Sequence, residues 1–389
     1  MSGLVSIEDF KDRAAASIPQ EAFDYYQSGA DDEQTRQLNR SSYERLRIRP
    51  RMLQNVSNRD MKVKLFGEEY AMPIGISPTA FQKMAHPEGE VANARAAANR
   101  KLLFTLSTLS NSSIEEVADA VPKSPKWFQL YIYKERKLTE RIVQRAKKAG
   151  FKAIVVTVDS PLFGKRRADI RNRFSLPPGL KAANLEGEQA IIQGKDGSGL
   201  SQYGEQQLDP SLVWDDIRWL IKISELPVLV KGILTKEDAE IAVSKGVSGI
   251  WVSNHGGRQL DSAPATIEVL PEIVAAVGDQ TTIIVDGGVR NGKDVFKALG
   301  LGANMVMIGR PALWGLAVNG QQGVEQVLDI LRDELDTTMA LAGCQRVADI
   351  TRLHVIHEEY YKELNMKQTQ VLLDMQSKDK RKGWLKGIF

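Results

Sequence analysis

Hydrophobic positions along the chain alternate between two rhythms. Short apolar runs rich in β-branched residues recur at 74–78 (IGISP), 102–108 (LLFTLST), 127–132 (WFQLYI), 153–159 (AIVVTVD), 227–233 (PVLVKGI), 249–255 (GIWVSNH), 282–288 (TIIVDGG) and 305–310 (MVMIGR). Runs without polar alternation predict strands covered on both faces. Between them the apolar positions take the helical period, at 88–99, 113–120, 136–149, 212–223, 236–245, 265–277 and 292–299, with a last helix at 323–342. Strands alternating with helices predict parallel pairing through right-handed crossovers. Eight such units predict an α/β fold closed as a (β/α)8 TIM barrel; an open doubly wound sheet is the alternative. Both place ligands beyond the carboxyl ends of the strands.

The flanking text is different. Segments 6–16, 19–29 and 31–43 predict a helical preface, with Ser6 and Asp9 placed as a capping box and Gly29 ending the second helix. Residues 46–69 read as a small ribbon closing one end of the body. After Asp159, about fifty residues rich in Gly, Pro and Gln interrupt the rhythm. Connections that long in a compact body usually serve a site. The insertion at about 160–210 is therefore expected to be a mobile lid beside His255, with a passive insertion as the alternative. Residues 1–365 are expected to form a single domain. The basic stretch 366–389, with Trp384 and Phe389, is expected to be a solvated tail, with membrane-surface contact as the lesser reading.

Composition narrows the function. Hydrophobic content of 42% with 26% charged residues is ordinary globular usage, and a net charge of +3 gives no argument for nucleic acid as the partner. Cys344 is the single cysteine, which excludes an intrachain disulfide framework and fits a reducing, intracellular setting. The amino terminus has no secretory core, no stretch has transmembrane length, and the carboxyl terminus is not a peroxisomal SKL. No metal site is expected, because His86 and His255 are remote in sequence and the pair His354 and His357 has no accompanying carboxylate cluster. Phosphate-loop and dinucleotide fingerprints are missing as well.

Chemistry collects at the predicted strand ends. These supply Thr79, then Ser107 and Thr108, Gln129 and Tyr131, Thr157 and Asp159, and Lys231. The sixth strand runs into SNHGGRQLD, so Ser253, His255 and Arg258 share one glycine-bearing loop: a proton acceptor and a carboxylate clamp at one mouth. The seventh and eighth supply Asp286, Gly287, Gly288 and Arg290, then Gly309 and Arg310. Glycine amides with two guanidiniums at those positions point to phosphate, and hence to a phosphorylated cofactor over the barrel.

SNHGGRQLD, DGGVRNGKDVFKALGLGA, GRPALWGL, WFQLYIYK, TVDSP, LVKGILTKEDA and FDYYQSGADDE together resemble the FMN-dependent (S)-2-hydroxy-acid oxidases, the group of glycolate oxidase and long-chain hydroxy-acid oxidases. The resemblance runs from about Val5 to Thr351. It implies non-covalent FMN, oxidation of a 2-hydroxy acid to a 2-oxo acid, oxygen as acceptor with hydrogen peroxide as product, and a homotetramer. It would make His255 the base, Asp159 its partner, Tyr131 a hydrogen-bond donor to the substrate oxygen, and Arg258, Tyr25 and Arg166 the carboxylate grip. Lys231 would face the flavin. Ser107, Gln129, Thr157, Ser253 and the backbone of Pro78, Thr79 and Ala80 would contact the ring or ribityl chain, and Asp286, Gly287, Gly288, Arg290, Gly309 and Arg310 the ribityl and phosphate. Leu109 stands where glycolate oxidases carry tryptophan, so medium or long 2-hydroxy acids are expected over glycolate. A dehydrogenase or monooxygenase on the same scaffold, and a non-catalytic phosphate-binding barrel, are the rival readings. Relatives are often peroxisomal, which this carboxyl terminus does not support; the cytoplasm is the other expectation.

Overall fold

The computed structural model describes residues 3–185, 192–194 and 197–367. Its preface consists of α1 (Ile7–Ala15), α2 (Gln20–Gln27) and α3 (Gln34–Glu44). Ser6 Oγ accepts from the Asp9 amide at 3.3 Å and Asp9 Oδ2 accepts from the Ser6 amide at 2.8 Å, the reciprocal cap the spacing predicts. Three short strands follow: β1 (Leu46–Ile48), β2 (Val63–Leu65) and β3 (Glu68–Tyr70).

The body is a closed parallel barrel of β4 (Ile74–Ile76), β5 (Leu103–Leu106), β6 (Lys126–Leu130), β7 (Ala153–Thr157), β8 (Val228–Ile233), β9 (Gly249–Val252), β10 (Thr282–Val285) and β11 (Met305–Ile308), in the order β10-β11-β4-β5-β6-β7-β8-β9. Alternate residues of each strand face opposite layers. Leu103, Trp127, Val155, Leu229, Trp251 and Ile284 fill the lumen, while Ile154, Val156, Val230 and Ile250 face the helices. Both sides are dry, which is why these strands read as continuous apolar runs. The β2–β3 hairpin contributes Leu65 and Tyr70 to the lumen cluster, so the predicted ribbon stoppers the barrel at the end away from the loops that carry chemistry. β1 pairs instead with β12 (Val355–His357), a long-range contact with no local signal.

The helical shell is α4 (Gly89–Asn99), α5 (Ile114–Ala120), α6 (Arg136–Lys148), then α7 (Arg167–Arg171) and α8 (Gly199–Gln207) in the insertion, α9 (Trp214–Ser224), α10 (Lys236–Ser244), α11 (Thr266–Val277), α12 (Gly292–Gly300) and α13 (Arg310–Ala342). Within the insertion, α8 is capped by Ser198, whose hydroxyl accepts from the Ser201 amide. One expectation changes: the last helix starts at Arg310 rather than at 323, with Pro311 in its first turn, where a missing amide costs nothing. Asn319 and Gly320 leave helical geometry and kink it, and that break made the sequence look like a later start.

Among the described residues no helix is long and apolar enough to cross a membrane. Helical backbone runs from 359 to 367; the predicted tail at 366–389 lies outside the described residues from 368 onward.

Candidate active site

A cleft opens at the carboxyl ends of the barrel strands. Strand ends and their loops contribute Pro78, Thr79, Ala80, Ser107, Leu109, Gln129, Tyr131, Thr157, Lys231, His255, Arg258, Asp286, Gly287, Gly288, Arg290, Gly309 and Arg310; α2 contributes Tyr25, and the insertion Arg166. Of the residues expected at the site, only Asp159 and Ser253 stand behind this lining, each bonded to a residue in it. Sequence reasoning missed Tyr26, Ser77, Phe163, Leu200, Met307 and Leu313, which also line the cleft. Four are apolar, and Tyr26 and Ser77 adjoin Tyr25 and Pro78 without a signal of their own, so only their position in the fold marks them.

β9 stops at Val252, and the chain then turns through three successive positive φ angles: His255 at 57°, Gly256 at 67° and Gly257 at 75°. The turn is packed against the preface: a Cβ on Gly257 would lie 2.6 Å from the Arg36 amide nitrogen. A histidine in left-handed backbone is a strained placement found mostly where surroundings enforce it. Here its Nδ1 lies 2.9 Å from Asp159 Oδ1, which also accepts from Ser160 Oγ at 2.8 Å. A carboxylate at Nδ1 fixes the proton there and leaves Nε2 as the basic nitrogen.

Burial holds the His255 ring below the usual imidazole value; Asp159 pulls it upward, and Lys231 and Arg166 add to the lowering. Burial would raise the Asp159 carboxyl, yet His255 and Lys231 hold it below the usual carboxylate range. Desolvation outweighs the attraction of Asp159 for the ring, and both shifts favour a neutral imidazole beside a carboxylate.

Two guanidiniums share the cleft with this imidazole. Arg258 stacks over the Tyr25 ring with its central carbon 4.8 Å from the centroid and donates to the Tyr25 carbonyl. Arg166 is 4% exposed, donates to the Arg258 carbonyl at 3.4 Å, and has its carboxylate partner, Asp169, only at 3.9 Å. Burial and the neighbouring Arg258 lower it to about 10. Tyr131 packs edge-on against Phe163, and burial together with Asp159 pushes its hydroxyl far up, so it stays a donor.

Deeper in the mouth the polar groups are cross-linked strand to strand. Gln129 Nε2 donates to Thr157 Oγ1 at 3.0 Å, while its Oε1 accepts from Ser107 Oγ at 3.3 Å and from the Thr108 amide at 3.2 Å. Lys231 Nζ donates to Ser253 Oγ at 2.9 Å, and Ser253 Oγ donates to Asp286 Oδ1 at 2.7 Å. Ser253 thus ties β8 to the loops after β9 and β10.

The last two strand ends bring glycines and guanidiniums together at one side of the cleft. Gly288 has φ 82°, and a Cβ there would lie 1.9 Å from the Asn39 carbonyl oxygen, so α3 presses on the backbone of this loop. Arg310 donates to the carbonyls of Tyr26 at 2.9 Å, Gly256 at 3.0 Å and Ser28 at 3.0 Å. Arg290 Nε is buried without a partner. Burial and Arg40 lower Arg290 to about 10; burial, Arg258 and Arg290 lower Arg310. Crowded cations whose partners are carbonyls, one with an unpaired N–H, fit a phosphate dianion. The residues present therefore suit FMN: glycines and guanidiniums for its phosphate, and Gln129, Thr157 and Lys231 around a ring-sized cleft with roughly 980 Å³ of space, its solvent-open part included. No cluster of metal-ligating side chains exists among the described residues.

Comparison with known proteins agrees. The pattern of the FMN-dependent dehydrogenase family matches residues 14–357. Glycolate oxidase 1 of Zea mays is 51% identical over 360 residues, covering 92% of this chain and 97% of that one. 2-Hydroxyacid oxidase 1 of Homo sapiens is 48% identical over 353 residues, covering 90% and 95%. Among solved structures, mandelate oxidase with (S)-4-hydroxymandelic acid superposes with a TM-score of 0.87 at 42% identity, covering 91% and 99%. A chimera of (S)-mandelate dehydrogenase gives 0.85 at 37%, covering 92% and 100%. With this match over most of its length and a cleft suited to the cofactor, the chain belongs to the FMN-dependent dehydrogenase family of 2-hydroxy-acid oxidising enzymes and is an FMN-dependent oxidoreductase.

Proposed function

We propose that the protein oxidises an (S)-2-hydroxy acid to the 2-oxo acid, with oxygen as the final acceptor and hydrogen peroxide as the product. The observation that carries this reading is the His255–Asp159 pair at 2.9 Å, sharing a cleft with Arg258 and Arg166, neither of which has a close carboxylate partner. A 2-hydroxy carboxylate supplies both missing elements: an anion for the guanidiniums and a hydroxyl proton for the base. Bound FMN would supply the two-electron acceptor.

Arg258 and Arg166 would take the substrate carboxylate, with Tyr25 steadied beneath Arg258. Tyr131, kept protonated, would donate to the substrate oxygen. His255 Nε2 would accept the hydroxyl proton, and the Asp159 carboxylate would stabilise the imidazolium that forms. Lys231, held by Ser253 and Asp286, would set positive charge beside the ring, while Gln129, Thr157, Ser107 and the 78–80 backbone would orient it. Gly287, Gly288, Arg290, Gly309 and Arg310 would anchor the phosphate. The net change removes two electrons and two protons from the CH–OH group and delivers them to one oxygen molecule.

Leu109 is 2% exposed and lines the cleft with Phe163 and Leu200. This apolar wall supports medium or long side chains over glycolate. Homotetrameric assembly is part of the same proposal, supported by membership of the family and tested by light scattering. The decisive experiment is anaerobic titration with glycolate, lactate, 2-hydroxyoctanoate and mandelate while flavin absorbance is followed, with peroxide measured under air. His255→Ala should keep bound flavin and lose nearly all bleaching by substrate. Near wild-type bleaching in that variant refutes the base assignment, and substrate bleaching without peroxide under air favours the dehydrogenase reading.

A further inference from the structure

Glu90 opens α4, where an acidic residue in the first turn usually faces solvent and complements the helix dipole. Here it is 0% exposed. Its Oε1 accepts from the amides of Gln82 at 3.0 Å and Asn111 at 2.9 Å; its Oε2 accepts from the Ser112 amide at 3.1 Å and from Ser112 Oγ at 2.9 Å. All four donors are neutral. Gln82 lies in the connection after β4, and Asn111 and Ser112 in the loop after β5. One carboxylate therefore joins two barrel loops, and an unpaired buried charge or amide is the alternative to keeping them joined.

Both loops carry cleft residues. On the first, Gln82 Nε2 donates to Thr79 Oγ1 at 2.8 Å and to the Thr79 carbonyl at 3.2 Å, and its own Oε1 accepts from Asn93 Nδ2 at 2.5 Å. On the second, the Leu109 carbonyl accepts from the Phe81 amide at 3.2 Å, and Asn111 Oδ1 accepts from the Lys83 amide at 3.1 Å. Asn184 of the insertion adds a third attachment, donating to Ser110 Oγ at 2.9 Å. The chain of contacts from Glu90 thus ends at Thr79 on one side and at Leu109 on the other, both in the cleft wall.

We propose that Glu90 is a positioning residue of the flavin site: by clamping the loops after β4 and β5 to each other it holds Thr79–Ala80 and Ser107–Leu109 as one wall against the cofactor. The proposal rests on FMN occupying this cleft. Burial pushes the Glu90 carboxyl above its usual range and the neutral donors of Gln82, Asn111 and Ser112 oppose that shift, with no cation beside it among its hydrogen-bond partners. Glutamine keeps the shape but turns one acceptor into an NH2 group facing N–H and O–H donors, which forces the loops apart.

The test uses the full-length enzyme, FMN-bound and FMN-stripped, with FMN affinity read by flavin fluorescence and melting temperature read for both forms. Glu90→Gln should weaken FMN roughly tenfold or more and narrow the gap between the two melting temperatures. Glu90→Asp, which keeps the charge, should recover part of both. If Glu90→Gln lowers both melting temperatures equally and leaves FMN affinity within about twofold of the parent, Glu90 is structural only and the proposal falls. Should that variant not fold, Ser112→Ala, which removes one donor and keeps the carboxylate, is expected to weaken FMN severalfold; unchanged affinity there overturns the proposal. His255→Ala serves as the control that keeps FMN. Failure of the parent to bind FMN at all would instead count against the family reading.

Discussion

Replacing Asp159 by asparagine isolates the charge in the base. Asp159 Oδ1 takes both bonds, from His255 Nδ1 at 2.9 Å and Ser160 Oγ at 2.8 Å, whereas Oδ2 is buried with no partner. An asparagine can keep its carbonyl oxygen at the occupied position and turn its NH2 toward the unpartnered side, so the histidine keeps its tautomer and orientation. What is lost is stabilisation of the imidazolium. Breaking a buried ion pair costs about 3–5 kcal/mol. With side-chain exposures of 19% for His255 and 12% for Asp159, the lower end applies. About 3 kcal/mol corresponds to roughly a hundredfold in rate. Stopped-flow bleaching of the flavin under anaerobic conditions, measured across pH at subsaturating 2-hydroxy acid so that the second-order rate constant reports the free enzyme, reads this directly. On the proposed role of His255 as base the parent works with that ring neutral, and burial already lowers it, so activity should persist below the ordinary imidazole range and fall only on further acidification. Without the upward pull of Asp159, the acid limb should move to still lower pH while the plateau drops about a hundredfold. A plateau within about threefold of the parent, or a limb displaced toward higher pH, would refute the reasoning.

Other perturbations test other parts of the cleft. Arg290→Met removes a guanidinium whose Nε has no partner and whose Nη1 donates only to the Val289 carbonyl, so FMN should bind roughly 10–100-fold more weakly while the FMN-free melting temperature holds or rises. A fall in that melting temperature would show instead that Arg290 serves the fold. Gly288→Ala places a Cβ 1.9 Å from the Asn39 carbonyl oxygen in left-handed backbone; chemical denaturation should show a loss of about 2–4 kcal/mol along with loss of FMN. Leu109→Trp should narrow the cleft wall and shift the ratio of kcat/KM toward glycolate over 2-hydroxyoctanoate, and an unchanged ratio would remove Leu109 from the specificity argument.

What the sequence showed and hid follows from the range of each interaction. Every barrel strand was legible because both of its faces are buried, and a run such as Ala153–Thr157 carries that fact in five adjacent residues. The strand ends were less so. The runs were read through to Asp159, His255 and Arg310, but the ladders stop at Thr157, Val252 and Ile308, because the residues beyond them turn away to make site contacts that no local pattern encodes. The glycines and guanidiniums expected at the phosphate were available from their place at predicted strand ends and from the family resemblance, yet their restraints were not. Arg310 is held by carbonyls at positions 26, 28 and 256, and Gly288 is pinned by the backbone of residue 39, all belonging to remote segments. Glu90 is the sharpest instance: its place in a helix's first turn has an adequate local explanation, so nothing in the text draws attention to it. Its burial is decided by where the loops after β4 and β5 meet. The groups proposed to perform chemistry in this cleft are thus marked by residue type, whereas the groups proposed to hold them are marked only by three-dimensional proximity. Substitutions at the second kind should alter cofactor affinity and selectivity before they alter the chemical step.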